Sequence, residues 1–104
     1  MAENVFVKSG RVMDVVPAAG VSGTPTGAWV FKDAPNASFQ VVATAAATVV
    51  FEVSNDGINA VATALGTVTL AGAGSDGFAT NAAWKYVRAR ITSNSGVVNV
   101  YMCV

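Results

Sequence analysis

A chain of 104 residues is long enough for one domain with a single hydrophobic core; 53% of its residues are hydrophobic and only 12% are charged. Six basic and six acidic residues give a formal net charge of zero, so no overall field attracts nucleic acid or an anionic membrane. The lack of histidine excludes Ser-His-Asp and Cys-His catalysis and histidine-based metal sites. The apolar excess predicts surface that is buried against a partner or against copies of the chain. A tightly packed monomer with an alanine-rich surface is the alternative.

The first part of the chain is predicted to hold an arm or the first strands, in residues 1–16, followed by the sandwich proper in residues 17–104 of the same single domain. Residues 5–16 are typical of two short strands around a Ser-Gly turn, or of an extended arm whose Val5, Phe6 and Val7 contact a neighbour. Residues 17–27 are rich in Pro and Gly, which predicts a loop with a contact role.

The remaining elements are predicted to be short strands joined by turns. Alternation places Phe39, Val41 and Ala43 on one face of a strand, and Val49, Phe51 and Val53 on one face of the next. The predicted strands span residues 28–32, 38–43, 48–54, 66–70, 84–92 and 97–104, with a turn at 55–59, a glycine-rich loop at 71–77 and a turn at 93–96. With the N-terminal segment, this gives seven or eight short strands in an all-β, antiparallel β-sandwich or jelly roll.

The N-terminal residues, the longest apolar run and the single cysteine do not show the pattern of a secreted protein. Residues 1–8 lack the charged region, apolar core and cleavage site of a signal peptide, and the longest apolar run, 41–51, is too short to span a membrane. Cys103 gives no disulfide framework and is predicted to be a small buried hydrophobe in the last strand. We expect a protein made in the cytoplasm and used without secretion.

Three carboxylates are the candidates for chemistry. Glu52, Asp56 and Asp76 would have to supply a glycosidase pair, and Asp56 and Asp76 with nearby asparagines could bind calcium. Both aspartates precede a glycine, which is what a turn requires, so we favour turns over either site. We therefore expect no enzymatic activity, no metal and no cofactor.

Residues 72–77 match the dinucleotide fingerprint G-x-G-x-x-G. That fingerprint needs a helix directly after it, to meet the pyrophosphate, and a strand pattern follows here instead. We interpret these residues as a flexible loop.

Aromatic and arginine side chains alternate along the predicted strand 84–92. Trp84, Tyr86, Arg88 and Arg90 would share one face, which could stack on a base or a sugar ring. Alternatively, the opposite face enters the core, Trp84 and Tyr86 cap the edge of that core, and the arginines are solvated or pair with Glu52 or Asp76. We favour a third interpretation, a protein–protein interface, because aromatic residues and Arg are enriched there. The candidate interface residues are Val5, Phe6, Val7, Trp29, Trp84, Tyr86, Arg88 and Arg90.

Four segments of the chain carry a family resemblance, which covers roughly residues 48–101. They are F-E-V-S-N-D-G at 51–57, L-G-T-V-T-L at 65–70, S-D-G-F at 75–78 and W-K-Y-V-R-A-R at 84–90. This pattern resembles small structural proteins of tailed bacteriophages, especially capsid decoration (cement) proteins. A similar cadence occurs in discoidin-like carbohydrate-binding sandwiches.

The resemblance to cement proteins implies a small β-sandwich, commonly a homotrimer, on the capsid surface of the virion. Such a protein binds between subunits of the major capsid protein and stabilises the head, with no catalytic residues, nucleic acid or membrane involved. The second resemblance implies a carbohydrate-binding module of a phage tail or fibre that stacks sugars on Trp29, Trp84 or Tyr86.

Overall fold

The computed structural model describes residues 12–14, 21–32 and 35–103. Within these residues there are nine strands and no helix, which confirms the all-β prediction. The strands are β1 (Val12–Asp14), β2 (Val21–Ser22), β3 (Val30–Phe31), β4 (Ala37–Ala43), β5 (Ala47–Ser54), β6 (Gly66–Leu70), β7 (Gly74–Thr80), β8 (Tyr86–Asn94) and β9 (Val97–Cys103). Only β2 and β3 are two residues long, so seven strands have three residues or more. No helix in this part of the chain could span a membrane.

The strands form two antiparallel sheets. Sheet A has the order β1-β9-β4-β7, with β2 also paired to β9, and sheet B has the order β3-β8-β5-β6. From β4 to β9 the chain changes sheet at every connection except the one between β5 and β6. The two sheets are therefore layers of one sandwich, as predicted.

The core lies between the inner faces of the two sheets. Phe39, Val41 and Ala43 alternate inward from β4, and Val49, Phe51 and Val53 alternate inward from β5, as their spacing predicted. The Phe39 and Phe51 ring centroids lie 4.8 Å apart, and Phe78 of β7 lies 5.2 Å from each. Each such aromatic pair adds about 0.5–1.5 kcal/mol to the stabilisation from burial.

The pairing of β5 with β8 contains a bulge. Thr48 lies opposite Ser93, but Val49 lies opposite Ile91, so Thr92 is the extra residue. Strand β8 continues to Asn94, so the predicted turn at 93–96 is shorter than expected. The Asn94 side-chain oxygen accepts a hydrogen bond from the Gly96 amide and closes that turn.

The prediction of a glycine-rich loop at 71–77 was wrong, because β7 begins at Gly74 and pairs along β4. Gly77 lies opposite Gln40, and a Cβ at Gly77 would overlap the Phe39 carbonyl oxygen. The glycine is there for a close approach of two strands rather than for loop flexibility. The dinucleotide fingerprint thus falls partly on a strand, and no helix follows it in the described residues.

Residues 21–27, the described part of the predicted loop at 17–27, are paired with both sheets. Val21–Ser22 pairs with β9 of sheet A, whereas Thr26 forms a bridge with Arg90 of sheet B. The Gly27 amide donates to the Ala89 carbonyl at 2.8 Å, and the Pro25 carbonyl accepts from the Ile91 amide at 3.2 Å. This segment therefore passes from one sheet to the other along one side of the sandwich.

Two further predictions concern the ends of the chain. Val12–Asp14 is a strand, as expected for part of residues 5–16, while the Ser-Gly turn and the arm at Val5, Phe6 and Val7 lie outside the described residues. Cys103 does lie in the last strand, but it is half-buried, because alternation turns its neighbour Met102 into the core.

Candidate interaction face

The outer face of sheet B gathers most of the aromatic and arginine residues that the sequence singled out. Tyr86, Arg88 and Arg90 project outward from β8 because Val87, Ala89 and Ile91, which alternate with them, are buried. The register places Phe31 opposite Tyr86 and Glu52 opposite Arg88. We call the set Trp29, Phe31, Glu52, Tyr86, Arg88 and Arg90 the aromatic–arginine face.

One carboxylate holds both arginines of this face. Glu52 Oε1 lies 2.7 Å from Arg88 Nε, and Glu52 Oε2 lies 3.0 Å from Arg90 Nε. The Glu52 side chain is only 15% exposed, while those of Arg88 and Arg90 are 25% and 42% exposed. Of the two carboxylates considered as arginine partners, the structure thus selects Glu52.

The pKa of Glu52 reflects two opposing effects. Burial raises this pKa, but the hydrogen bonds and positive charges of Arg88 and Arg90 outweigh it, so the pKa lies below its ordinary value. Glu52 therefore stays ionised through the neutral range and holds the two arginines in place.

Arg88 also stacks on an aromatic ring. Its guanidinium carbon lies 4.4 Å from the centroid of the Trp29 ring, within the range of a cation–π contact. Arg88 also donates a hydrogen bond to Glu52, so two separate contacts hold its side chain in place. The guanidinium also covers a face of Trp29 that a stacking ligand would otherwise use.

The edge of the aromatic–arginine face is apolar and exposed. The Phe31 and Tyr86 rings meet edge to face with centroids 5.5 Å apart, and Phe31 is 52% exposed. Gly57, at φ +70°, lies against the Tyr86 ring, and the next residue, Ile58, is 76% exposed. Phe31 and Ile58 are the exposed large hydrophobic residues of the described chain.

The turn that carries Ile58 is built on Ser54 and Asp56. The buried Ser54 hydroxyl donates to Asp56 Oδ1 at 2.6 Å and accepts from the Asp56 and Gly57 amides. Asp56 also accepts from the Ile58 and Asn59 amides at 2.9 Å and from the Asn59 side chain. The Ser54 hydrogen bond, followed by those from Asn59 and Ile58, holds the pKa of Asp56 well below its ordinary range.

The three carboxylates considered as catalytic or calcium-binding residues lie in three different surroundings. Glu52 is paired with arginines, Asp56 accepts hydrogen bonds within its own turn, and Asp76 lies on β7 of sheet A. No group of three or more potential metal-ligating side chains occurs among residues 12–14, 21–32 and 35–103.

The structure favours the interpretation in which Trp84 caps the edge of the core over the one that places it on an outer face with Tyr86. Strand β8 begins only at Tyr86, and Trp84 lies in the preceding segment, where it packs against the core. The buried Lys32 anchors this segment by donating from Nζ to the Ala82 carbonyl at 2.7 Å. Burial lowers the pKa of Lys32.

Phe31, Gly57 and Ile58 were missed by the sequence interpretation, although two signals pointed to them. Trp29 and Phe31 are two residues apart, so a strand places both on one face. Ile58 is a large apolar residue inside a polar turn, a position with no core to fill.

Comparison with known proteins gives a fold relationship. No protein-family model matches the chain, and no curated protein matches its sequence. Among solved structures, the chain resembles the SPBc2 prophage-derived protein YomS, with a TM-score of 0.71 and 11% sequence identity. The match covers 97% of this chain and 98% of the YomS chain. At that identity the likeness shows a shared fold over nearly the whole of both chains.

Proposed function

We propose that the chain is a structural virion protein of a tailed bacteriophage, namely a capsid decoration protein that binds between major capsid subunits and stabilises the head. Two findings support this proposal. The fold matches that of a prophage-derived protein along almost the whole chain. The outer face of sheet B also offers exposed apolar and arginine side chains suited to a protein partner.

The observation that carries the proposal is the exposure of Phe31, which packs on Tyr86, and of Ile58, which follows the Gly57 beside that ring, on a face where Arg88 is held in place. Interface anchors are typically aromatic and arginine side chains that fill pockets of the partner. Because Glu52 and Trp29 already hold Arg88, little of its conformational freedom remains to be lost on binding. A preorganised face of this kind suits permanent attachment to a rigid shell.

In this account the protein acts by filling and bridging gaps between shell subunits, without enzymatic activity, cofactor, nucleic acid or membrane. The apolar excess of the composition supplies contact surface both for the major capsid protein and for further copies of the chain, in a homotrimer. The protein would be made in the host cytoplasm and reside on the capsid surface.

The alternative, sugar stacking on Trp29, Trp84 or Tyr86, has less structural support. Trp84 packs against the core, and the Arg88 guanidinium lies over the Trp29 ring. Tyr86 is half-buried between Phe31 and Gly57.

The proposal is tested by binding purified protein to capsids from a phage that lacks the gene. Phe31→Ser and Ile58→Ser should each weaken binding about tenfold or more, because they remove exposed anchors without touching the core. Ala79→Ser is the matched control, since Ala79 is an exposed strand residue of sheet A. Wild-type protein that does not bind, or full binding by both variants, would contradict the proposal.

Val5, Phe6 and Val7 lie outside the described residues and stay a proposed contact arm. Removing residues 1–8 should weaken capsid binding and leave the midpoint of the unfolding transition unchanged. Undiminished binding by the truncated chain would show that this arm does not contact the capsid. Light scattering of the free protein tests the homotrimer.

A further inference from the structure

The outer face of sheet A contains a groove of about 450 Å³ that the proposed capsid role does not use. Its lining includes Ser38, Gln40, Ser75, Asp76, Gly77 and Tyr101. The groove lies on the sheet opposite the aromatic–arginine face, so the two surfaces can be occupied at the same time.

The register explains why the groove is open. Tyr101, Gln40 and Gly77 lie opposite one another on β9, β4 and β7, in one row across the sheet. Tyr101 and Gln40 project outward because Val100, Met102, Phe39 and Val41 are buried. Gly77 contributes no side chain to the row, and the close approach of the Phe39 carbonyl allows none there. A space therefore remains beside Gln40 on the β7 side.

The polar groups around this space both donate and accept hydrogen bonds. Gln40 Nε2 donates to Ser75 Oγ at 2.9 Å, which fixes the orientation of the amide and leaves its oxygen as an acceptor. The Ser38 and Tyr101 hydroxyls make no hydrogen bond to the described part of the chain and can bond a ligand. The Tyr101 ring adds an apolar surface at the side of the groove.

We infer that this groove binds a short neutral saccharide. Sugar hydroxyls both donate and accept, as do the amide and hydroxyl groups here, and a pyranose ring has apolar C–H faces that pack on an aromatic ring. A volume of this size is typical of small-molecule sites. The described lining contains no basic side chain, so the groove offers no counter-charge to phosphorylated or otherwise anionic ligands. The inference does not depend on the capsid role.

The test is a ¹H–¹⁵N NMR titration of the whole chain with methyl glycosides of glucose, galactose, mannose and N-acetylglucosamine. At least one neutral glycoside should shift the amide signals of Gln40, Gly77 and Tyr101 at millimolar concentration. Glucose 6-phosphate should bind no more tightly than the matching neutral sugar, because no basic side chain of the described lining meets its phosphate.

Variants locate the binding. Tyr101→Ala and Gln40→Ala should each raise the Kd about tenfold, whereas Thr69→Ala, an exposed strand residue of sheet B, should leave it unchanged. Gln40 is exposed, so its variant decides the matter if Tyr101→Ala does not fold. The inference is overturned if no neutral glycoside shifts these signals, if the shifts fall on the aromatic–arginine face, or if Gln40→Ala binds as tightly as wild type.

Discussion

At the scale of single residues, Ser54 has more hydrogen bonds than its small side chain would suggest. It is 1% exposed, and its hydroxyl bonds the Asp56 carboxylate and two backbone amides of the turn. That turn places Gly57 under the Tyr86 ring and Ile58 at the edge of the aromatic–arginine face. Ser54 thus links the core to the candidate interface.

We predict that Ser54→Ala lowers the free energy of unfolding by about 1–3 kcal/mol, because the Asp56 and Gly57 amides lose their acceptor and Asp56 loses one of its donors. Urea denaturation at pH 7 measures this. The control is Ser93→Ala, since Ser93 is exposed on β8 and its replacement should change stability by no more than about 0.5 kcal/mol. Equal stabilities of the two variants would show that the turn does not need the hydroxyl.

Glu52 gives the molecule a pH dependence. Its pKa in the folded state is below the ordinary value of 4.5, so the folded form binds this proton less readily than the unfolded form. The stabilisation is therefore fully present above about pH 5 and is lost as the pH falls through the lowered folded-state pKa. Asp56, whose pKa is also lowered, adds a loss in the same direction.

We predict that Glu52→Gln lowers the free energy of unfolding at pH 7 by about 1–2 kcal/mol, because Arg88 and Arg90 lose their shared carboxylate and partial exposure limits the effect. The variant should also lose less stability than wild type between pH 5 and acid conditions. Urea denaturation across that range provides the measurement. Parallel pH profiles for the two proteins would contradict the role assigned to Glu52.

At the scale of strands, β7 shows where sequence patterning succeeds and where it fails. Strands β4 and β5 were predicted because each buries one face, which forces apolar residues into every second position. Strand β7 is an edge strand that is mostly exposed, so Gly, Ser and Asp are tolerated and no alternation develops. Its existence depends on pairing with β4, which residues 74–80 alone do not reveal.

The same strand provides a matched pair of glycine variants. Gly77→Ala should destabilise the protein by about 1–3 kcal/mol, because the new methyl group overlaps the Phe39 carbonyl and forces β4 and β7 apart. Gly74→Ala, in the same strand, meets no atom within 4 Å and should be close to neutral. Thermal unfolding of the two variants distinguishes them. Equal melting temperatures would contradict the close approach at Gly77.

The candidate site was predictable only in part, for a related reason. Spacing along β8 correctly grouped Tyr86, Arg88 and Arg90, since they share one strand. Phe31 reaches Tyr86 through the pairing of β3 with β8, a long-range contact that local pattern does not encode. The spacing of Trp84 also fits an outer-face position, and local pattern alone does not show that β8 begins two residues later and that Trp84 packs against the core.

At the scale of the whole molecule, the sandwich is a slab of 32 × 32 × 20 Å with two broad outer faces. One carries the aromatic–arginine face with the exposed Phe31 and Ile58, and the other carries the polar groove beside Gln40 and Tyr101. A decoration protein needs this division, because one face must bind the shell while the other meets the solvent. The chain shares this fold with a prophage-derived protein.

The central claim is that this chain coats the capsid through the outer face of sheet B. It is tested most directly by cryo-electron microscopy of phage particles purified from the strain that encodes the chain. We predict density for this sandwich on the head surface between major capsid subunits, with Phe31 and Ile58 directed at the shell. Density on the tail, no density on the particle, or a head-bound sandwich that turns the aromatic–arginine face to solvent would contradict the claim.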